Sequence, residues 1–521
     1  MELVIAHHHY RPGGVRKVIE LAAPHLVRMI KPVIRKVILA GGEEADASWR
    51  SLICRALAPV PVEFFIEPAF GYFSEQKGRP ATLRRQCRHA LDRLFAGRAA
   101  RDCAVWVHNP GLARNFLFVR ELVRACEARR IPLLAHHHDW WFDSRWQRWP
   151  ELRRSGFRTL DAVAKTVFCS TPNARHIAIN RADAAILQKH CGPRAAWIPN
   201  IAERNPPPEP VRVRGVRRWL RGQLGDDAPV WLMPCRLLRR KNIAEALLLT
   251  RWLRPEAWLV TTGGVSSAGE QPYAEKLSAV ARHHGWRLRL GILQGDESHK
   301  PTVAELLSAS EAVLLTSIQE GFGLPYLETA VARRPLIARH LLNIAPDLAQ
   351  FGLRFPQSYD ELLVSPALFD WQAEVVRQEH LFRRWLGQMP RACRRLAGRP
   401  TLLAAGRVRQ PVPFSRLTLF AQLEVLVHPP EQSWALCAPL NPFLHTWRTR
   451  AARGALQVTS WPGSATQGLG GNAYARRFGR LLAAASEGKA VSLASRAIQQ
   501  QFMAEKLSAP HLYPLLWSGE I

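Results

Sequence analysis

Glu320-Gly-Phe-Gly-Leu-Pro-Tyr-Leu-Glu328 decides how this chain reads. Two carboxylates stand eight positions apart around a Gly-Pro loop. Glu311-Ala-Val-Leu-Leu-Thr-Ser317 precedes them, and its continuous apolar centre predicts a buried parallel strand. Pro325 falls where a first helical turn tolerates it, so Tyr326 to Arg333 reads as helix. A strand end, a glycine loop and a helix N-terminus together favour an anion, because free N–H groups and the helix dipole point at it. Glu320 falls at the loop mouth and Glu328 about one turn into the helix. The pair can grip two hydroxyl-bearing pieces of one ligand on either side of a phosphate. The competing reading is a turn with two solvated glutamates.

A second block has the same plan. Val230-Trp-Leu-Met-Pro-Cys235 reads as a buried strand and runs into Arg236-Leu-Leu-Arg-Arg-Lys241-Asn242. A helix then starts at Ile243, with apolar Ala246, Leu247 and Leu249. A guanidinium fork at Arg236 and an ammonium at Lys241, both at a strand-to-helix junction, suit a pyrophosphate. The alternative is ordinary solvated charge in a very basic protein. A third block opens the chain. The strand Glu2–Ala6 leads to His7-His-His-Tyr-Arg-Pro-Gly13-Gly14, then to a helix with Val15, Val18, Ile19, Ala22 and Leu26 on one face. The glycine pair lets backbone approach a ligand closely.

Together the blocks resemble the family-four retaining glycosyltransferases (glycosyltransferase group 1). The E-x7-E element matches at Glu320 and Glu328, and the "GRL…K" element at Cys235-Arg236-Leu237…Lys241. The glycine loop matches at Gly13-Gly14 and the "IPNG" motif at Ile198-Pro199-Asn200-Ile201. "HD" matches His138-Asp139, behind Ile131-Pro-Leu-Leu-Ala135. The resemblance covers about residues 1–355. The chain departs from the pattern at Cys235, where a glycine is usual, and at Arg333-Arg334, where Gly-Lys is common. The usual Gly-Gly is also missing between His340 and Pro346.

The resemblance implies an α/β GT-B fold, two Rossmann-like doubly wound domains facing a cleft, and transfer of a hexose from a nucleotide sugar with retention. It implies that Arg236 and Lys241 neutralise the leaving diphosphate without a metal or other cofactor. It implies Glu328 on the ribose, Glu320 and His138 as catalytic groups at the sugar, and the backbone of Phe322, Gly323 and Leu324 on sugar or phosphate. Gly14 is implied at the donor phosphate. Asn109, Asn115 and Asp139 lie near the same rim and are candidate acceptor contacts; a polar turn capping the next helix is the alternative for Asn109 and Asn115. Two other classes stand beside this one: a GT-B phosphorylase using inorganic phosphate, and a noncatalytic relative that binds nucleic acid or another polyanion.

The strand–helix alternation places residues 1–204 in an N-terminal Rossmann-like domain on the acceptor side and 211–370 in a second one on the donor side. A mostly helical extension follows over 371–521. Asn205-Pro-Pro-Pro-Glu-Pro210 reads as an extended hinge between the first two. Expected strands include Val33–Leu39, Val105–His108, Leu133–His138, Thr166–Cys169, Trp258–Thr262, Leu288–Leu293, Ala312–Thr316 and Leu336–Ala338. Expected tail helices are Glu374–Leu386, Arg391–Leu396, Phe414–Leu426 and Asn472–Ser486. His7–His9 and His136–His138 are expected to end two adjacent strands, with His136 and His138 on one face. Such groups can build a zinc site, but hydrogen-bonded histidines are the preferred reading and no metal is expected. No Asp-x-Asp pair occurs, which removes the usual cation handle of the other main nucleotide-sugar fold.

At 521 residues the chain is long enough for two or more cores. No apolar run reaches membrane-spanning length, and the N-terminus lacks a signal peptide's pattern. Nine scattered cysteines fit reduced thiols in a cytoplasmic protein. A net charge of +30 attracts polyanions and fits weak attachment to an anionic membrane at its inner face. No nucleic-acid motif accompanies the charge, so no specific nucleic acid is expected.

Overall fold

A computed structural model describes residues 1–143, 146–204, 206–265, 267–295, 300–406, 408–486 and 494–517. The chain folds as two compact units. The first holds Met1–Glu203, Gln388–Ala397 and Gln467–Leu507; the second holds Arg204–Gly387, Gly398–Thr466 and the segment from Ser508. The region expected as one extension over 371–521 is thus divided between both units. Of the expected hinge, Asn205 lies outside the described residues, and Pro210 opens a helix, Pro210–Leu224.

The first unit is a parallel seven-stranded sheet in the order β3-β2-β1-β4-β5-β6-β7. Its strands are β1 (Glu2–Ala6), β2 (Lys36–Gly41), β3 (Val62–Ile66), β4 (Cys103–His108), β5 (Leu133–His137), β6 (Ala174–Ala178) and β7 (Ala195–Trp197). The helix Gly14–Met29 buries Val18, Ile19, Ala22, Ala23 and Leu26, the apolar stripe read from the sequence, with Val15 at its margin. Tyr474 and Phe478 of the helix Gly471–Ser486 complete that core. Gly471 allows this packing: a Cβ there would stand 2.0 Å from the His25 ring.

Two expectations fail here. Thr166–Cys169 is not a strand; its start ends the helix Leu160–Val167, and the strand comes later, at Ala174–Ala178. Thr159 caps that helix by accepting from the Ala162 N–H at 3.1 Å, and Val163, Ala164 and Val167 bury at helical spacing. Nor are β1 and β5 adjacent, because the chain returns past β1 and lays β4 between them. His108 therefore stands between the two histidine runs.

The second unit is a parallel six-stranded sheet in the order β10-β9-β8-β11-β12-β13. Its strands are β8 (Val230–Met233), β9 (Trp258–Thr261), β10 (Leu288–Arg289), β11 (Ala312–Leu315), β12 (Leu336–Arg339) and β13 (Gln357–Tyr359). The strand expected over Leu288–Leu293 stops early because Gly291 turns left-handed, at φ 62°. The tail helices Trp371–Gln388 and Gly471–Ser486 form where expected. The helix expected from Phe414 to Leu426 is interrupted, with one turn at Phe414–Arg416 and a helix from Leu419 to Val427. Glu374 accounts for the break, since it takes the Thr418 N–H and hydroxyl, each at 2.7 Å. Arg333, where the family pattern has glycine, takes a left-handed conformation at φ 51°.

Candidate functional site

In the second unit β8 and β11 are neighbours, so the loops that follow them emerge side by side. The first carries the basic turn Arg239–Lys241, and the second carries Glu320 to Gly323. Hydrogen bonds tie the loops together. The Thr316 hydroxyl donates to the carbonyls of Lys241 and Asn242 at 3.1 and 3.0 Å, and the Ile318 N–H donates to the Arg240 carbonyl at 2.9 Å. Asn242 turns left-handed at φ 52° and starts the helix Ile243–Leu253. Gly323 is left-handed at φ 78° and starts the helix Leu324–Val331, with Pro325 in its first turn. A Cβ on Gly323 would lie 2.9 Å from the Tyr326 ring, so this corner needs glycine.

Glu320 is the focus of the corner. Lys241 donates to its Oε1, Arg240 to its Oε2 at 2.9 Å, and the Ser317 hydroxyl to Oε1 at 2.7 Å. Asn343 donates to its backbone carbonyl at 2.8 Å. Burial pushes the Glu320 carboxyl up, but the charges of Lys241 and Arg240 and the bonds from Lys241 and Ser317 outweigh it and bring it to about 2. Glu320 and Lys241 therefore meet directly. Arg236 lies on the same loop, between β8 and the basic turn, and is exposed; its Cα and Cγ lie against Gly263, whose N–H donates to the Cys235 carbonyl at 2.8 Å. Glu328 is half-buried on the first turns of its helix. Phe322 is buried, and Leu324 opens the helix. Cys235 is buried in the core, where burial pushes its thiol up to about 12 and keeps it protonated.

Three groups here escape motif reading: Arg240, Ser317 and Asn343. Arg240 was one charge among four in the run Arg236 to Lys241. Ser317 was legible only as the end of a strand. Asn343 falls in the stretch where the family's glycine pair is missing, and its amide fixes the backbone of Glu320.

In the first unit, Gly13 and Gly14 open the helix Gly14–Met29 and are exposed; a Cβ on Gly14 would meet nothing within 4 Å. His138 shares a 3.0 Å hydrogen bond with His108. Burial lowers the His138 imidazole to about 4, against a smaller upward pull from Asp139, so the ring is neutral near pH 7. The side chain of Asn109 accepts from the N–H groups of His138 and Asp139 at 3.4 and 3.0 Å. Asn115 caps the helix Phe116–Ala128 and donates to the Ala69 and Gly71 carbonyls at 2.8 and 2.7 Å. Both asparagines are spent on holding the backbone, while Asp139 is half-buried beside them.

Nitrogens of His108, His136 and His138 lie within 4.8 Å of one another. His136 and His138 share a sheet face, and His137 turns to the other, against Trp140 and His176. Trp106 donates to Nδ1 of His136 at 3.2 Å. That bond leaves the ring hydrogen on Nε2, the wrong tautomer for offering Nε2 to an ion.

Residues 221–350, which contain both loops of the Glu320 corner, match the family model "Glycosyl transferases group 1". They are a group 1 glycosyltransferase domain. The chain is 26% identical over 375 residues to the mannosylglucosyl-3-phosphoglycerate synthase of Petrotoga mobilis, covering 70% of this chain and 69% of that protein. It is 26% identical over 240 residues to the mannosylglucosylglycerate synthase of Thermotoga maritima, covering 43% and 54%. Anabaena HepE, solved with UDP-glucose, superposes with a TM-score of 0.51 at 15% identity, over 93% of this chain and 99% of that one. The two parallel-sheet units are those of the GT-B fold of this glycosyltransferase class. Among the described residues, no helix is long and apolar enough to cross a membrane.

The Glu320 ion cluster has a signed pH signature. Its carboxyl sits near 2 in the folded protein, against an ordinary 4.5, so its stabilising effect is complete above pH 4.5 and is lost as pH falls toward 2. The stability advantage of the wild type over Glu320→Gln should shrink by about 1.4 kcal/mol per pH unit across that window. Calorimetric unfolding at stepped pH reads it; a pH-independent difference contradicts the ion cluster.

Proposed function

We propose that this glycosyltransferase is a retaining, metal-independent hexosyltransferase that takes its sugar from a nucleotide donor. The observation that carries the reading is the corner built by two adjacent strand-to-helix loops. Lys241 and Arg240 bring two positive charges and Glu320 one negative charge to the N-terminus of the helix Leu324–Val331. A surplus positive charge at a helix N-terminus suits a diphosphate. In this reading Arg236 and Lys241 receive the leaving diphosphate, and Glu328 takes the ribose hydroxyls. The peptide groups of Phe322 to Leu324 hold sugar or phosphate, and Glu320 orients the sugar. No protein carboxylate is assigned as nucleophile, so the acceptor attacks from the face the leaving group departs. On the first unit, taken by itself, the exposed Gly14 leaves its loop open to close approach, and the neutral imidazole of His138 is suited to hydrogen-bonding a sugar hydroxyl. The names of the two synthases favour a small sugar-bearing acceptor over a lipid-linked one.

The helix Pro210–Leu224 carries exposed Arg214, Arg217 and Arg218, and it is the proposed contact for an anionic membrane.

With UDP as probe, Arg236→Ala and Glu328→Gln should each weaken binding by about 1.5–3 kcal/mol, the range for hydrogen bonds to charged groups. Glu320→Gln should bind UDP nearly as the wild type does yet transfer sugar more slowly. Titration calorimetry and a UDP-glucose turnover assay separate these effects; unchanged UDP affinity in both Arg236→Ala and Glu328→Gln refutes the donor assignment. For the membrane contact, co-sedimentation with phosphatidylserine vesicles should rise with anionic lipid and collapse in high salt. Sedimentation indifferent to salt refutes it.

A further inference from the structure

In the second unit a segment of the tail, Ser508 to Trp517, includes a contact with the basic turn. The single turn Pro514–Leu516 packs on Arg239–Lys241. Leu515 is fully buried in the core that also holds Leu237 and Ile243, the residues flanking the loop. Beside it Arg416 donates to the carbonyls of Pro510 and Leu512, each at 2.8 Å, and its guanidinium stands 3.9 Å from the centre of the Tyr513 ring. The same guanidinium donates to Glu361 at 3.1 Å. Glu361 also accepts from Arg339, Arg339 donates to both oxygens of Glu245, and Glu245 accepts from Asn242 at 2.9 Å. Two lines of contact thus run from the tail to the loop, one apolar through Leu515 and one ionic from Arg416 to Asn242.

The loop needs such support. Asn242 sits in a left-handed conformation, which persists only where its surroundings fix it. Arg240 and Lys241 must both reach the one carboxylate of Glu320, so the shape of the turn decides whether the two contacts form together. The tail provides that backing through its contact with Arg239–Lys241 and through Leu515 in the core below the loop.

We propose that residues 508–517 are a positioning element of the donor half-site, holding the turn 239–242 in the shape from which Lys241 meets its anion. The proposal rests on the reading of that turn as a diphosphate site. It assigns a function to the last part of the helical extension: Arg416 and Leu515 act through the turn and touch no substrate.

The test compares Arg416→Gln and Leu515→Ala with Leu277→Ala, a truncation elsewhere in the same core. Hydrogen exchange of the amides in 237–243, measured without ligand, should accelerate about tenfold in the first two variants and stay unchanged in Leu277→Ala. UDP affinity by calorimetry should fall about tenfold in the first two, at melting temperatures where Leu277→Ala binds normally, because small misplacements of a binding group are costly. Arg416→Lys, which keeps the charge but loses the fork, should fall between wild type and Arg416→Gln. Unchanged exchange in the turn overturns the proposal, as does a UDP affinity that tracks melting temperature across all variants. A wild-type chain that binds no UDP, ADP or GDP overturns the donor reading instead, and the exchange measurement still decides whether the tail holds the turn.

Discussion

Glu245, a carboxylate wholly shut off from water, sets the geometry of the second unit. Arg339 donates to both its oxygens at 2.5 and 2.6 Å, Tyr359 to one at 2.5 Å, and Asn242 to the other at 2.9 Å. Stripping an ion of water costs several kcal/mol, and only well-aligned partners repay it; removing one partner of such a pair typically costs about 3–5 kcal/mol. The groups that meet this demand come from the start of one helix and from β12 and β13. The pair therefore fixes where the helix Ile243–Leu253 begins, and Lys241 stands just ahead of that start.

Glu320 sits in a contrasting setting on the other side of the turn. It is also held by cations, but its side chain keeps 11% exposure and Lys241 keeps 10%. The inner pair is committed to structure, whereas the outer one lies where an incoming anion can compete. Two cations facing one carboxylate leave a positive remainder at this corner. A firm inner network behind an exchangeable outer one is what a preorganised anion site requires.

Much of this was legible in the sequence. The continuous apolar runs at Val230–Met233 and Ala312–Leu315 gave central parallel strands, and the glycine and proline of the Glu320 loop marked the next helix start. The failures have local causes. Thr166 and Val167 favour a strand by propensity, but the capped helix that contains them won. Val62–Ile66 mixes a charge into a half-buried run, and Ala195–Trp197 is too short to show a period. The interruption at Thr418 depends on Glu374, distant in sequence, and no window of neighbouring residues contains that bond. The division of the tail between units was equally hidden, since an amphipathic helix shows that it has a partner but not which one. At the site, residue type and spacing exposed Lys241 and Glu320, but the roles of Arg240, Ser317 and Asn343 exist only once β8 and β11 lie side by side.

The central claim is that the paired loops after β8 and β11 form a preorganised site for a nucleoside diphosphate. The most direct measurement is a crystal structure of the chain with UDP at saturating concentration. The account predicts diphosphate oxygens within hydrogen-bonding distance of Arg236 and Lys241, the ribose at Glu328, and a turn 239–242 that keeps its left-handed Asn242. UDP bound away from these loops, or a diphosphate that contacts neither basic side chain, would contradict it.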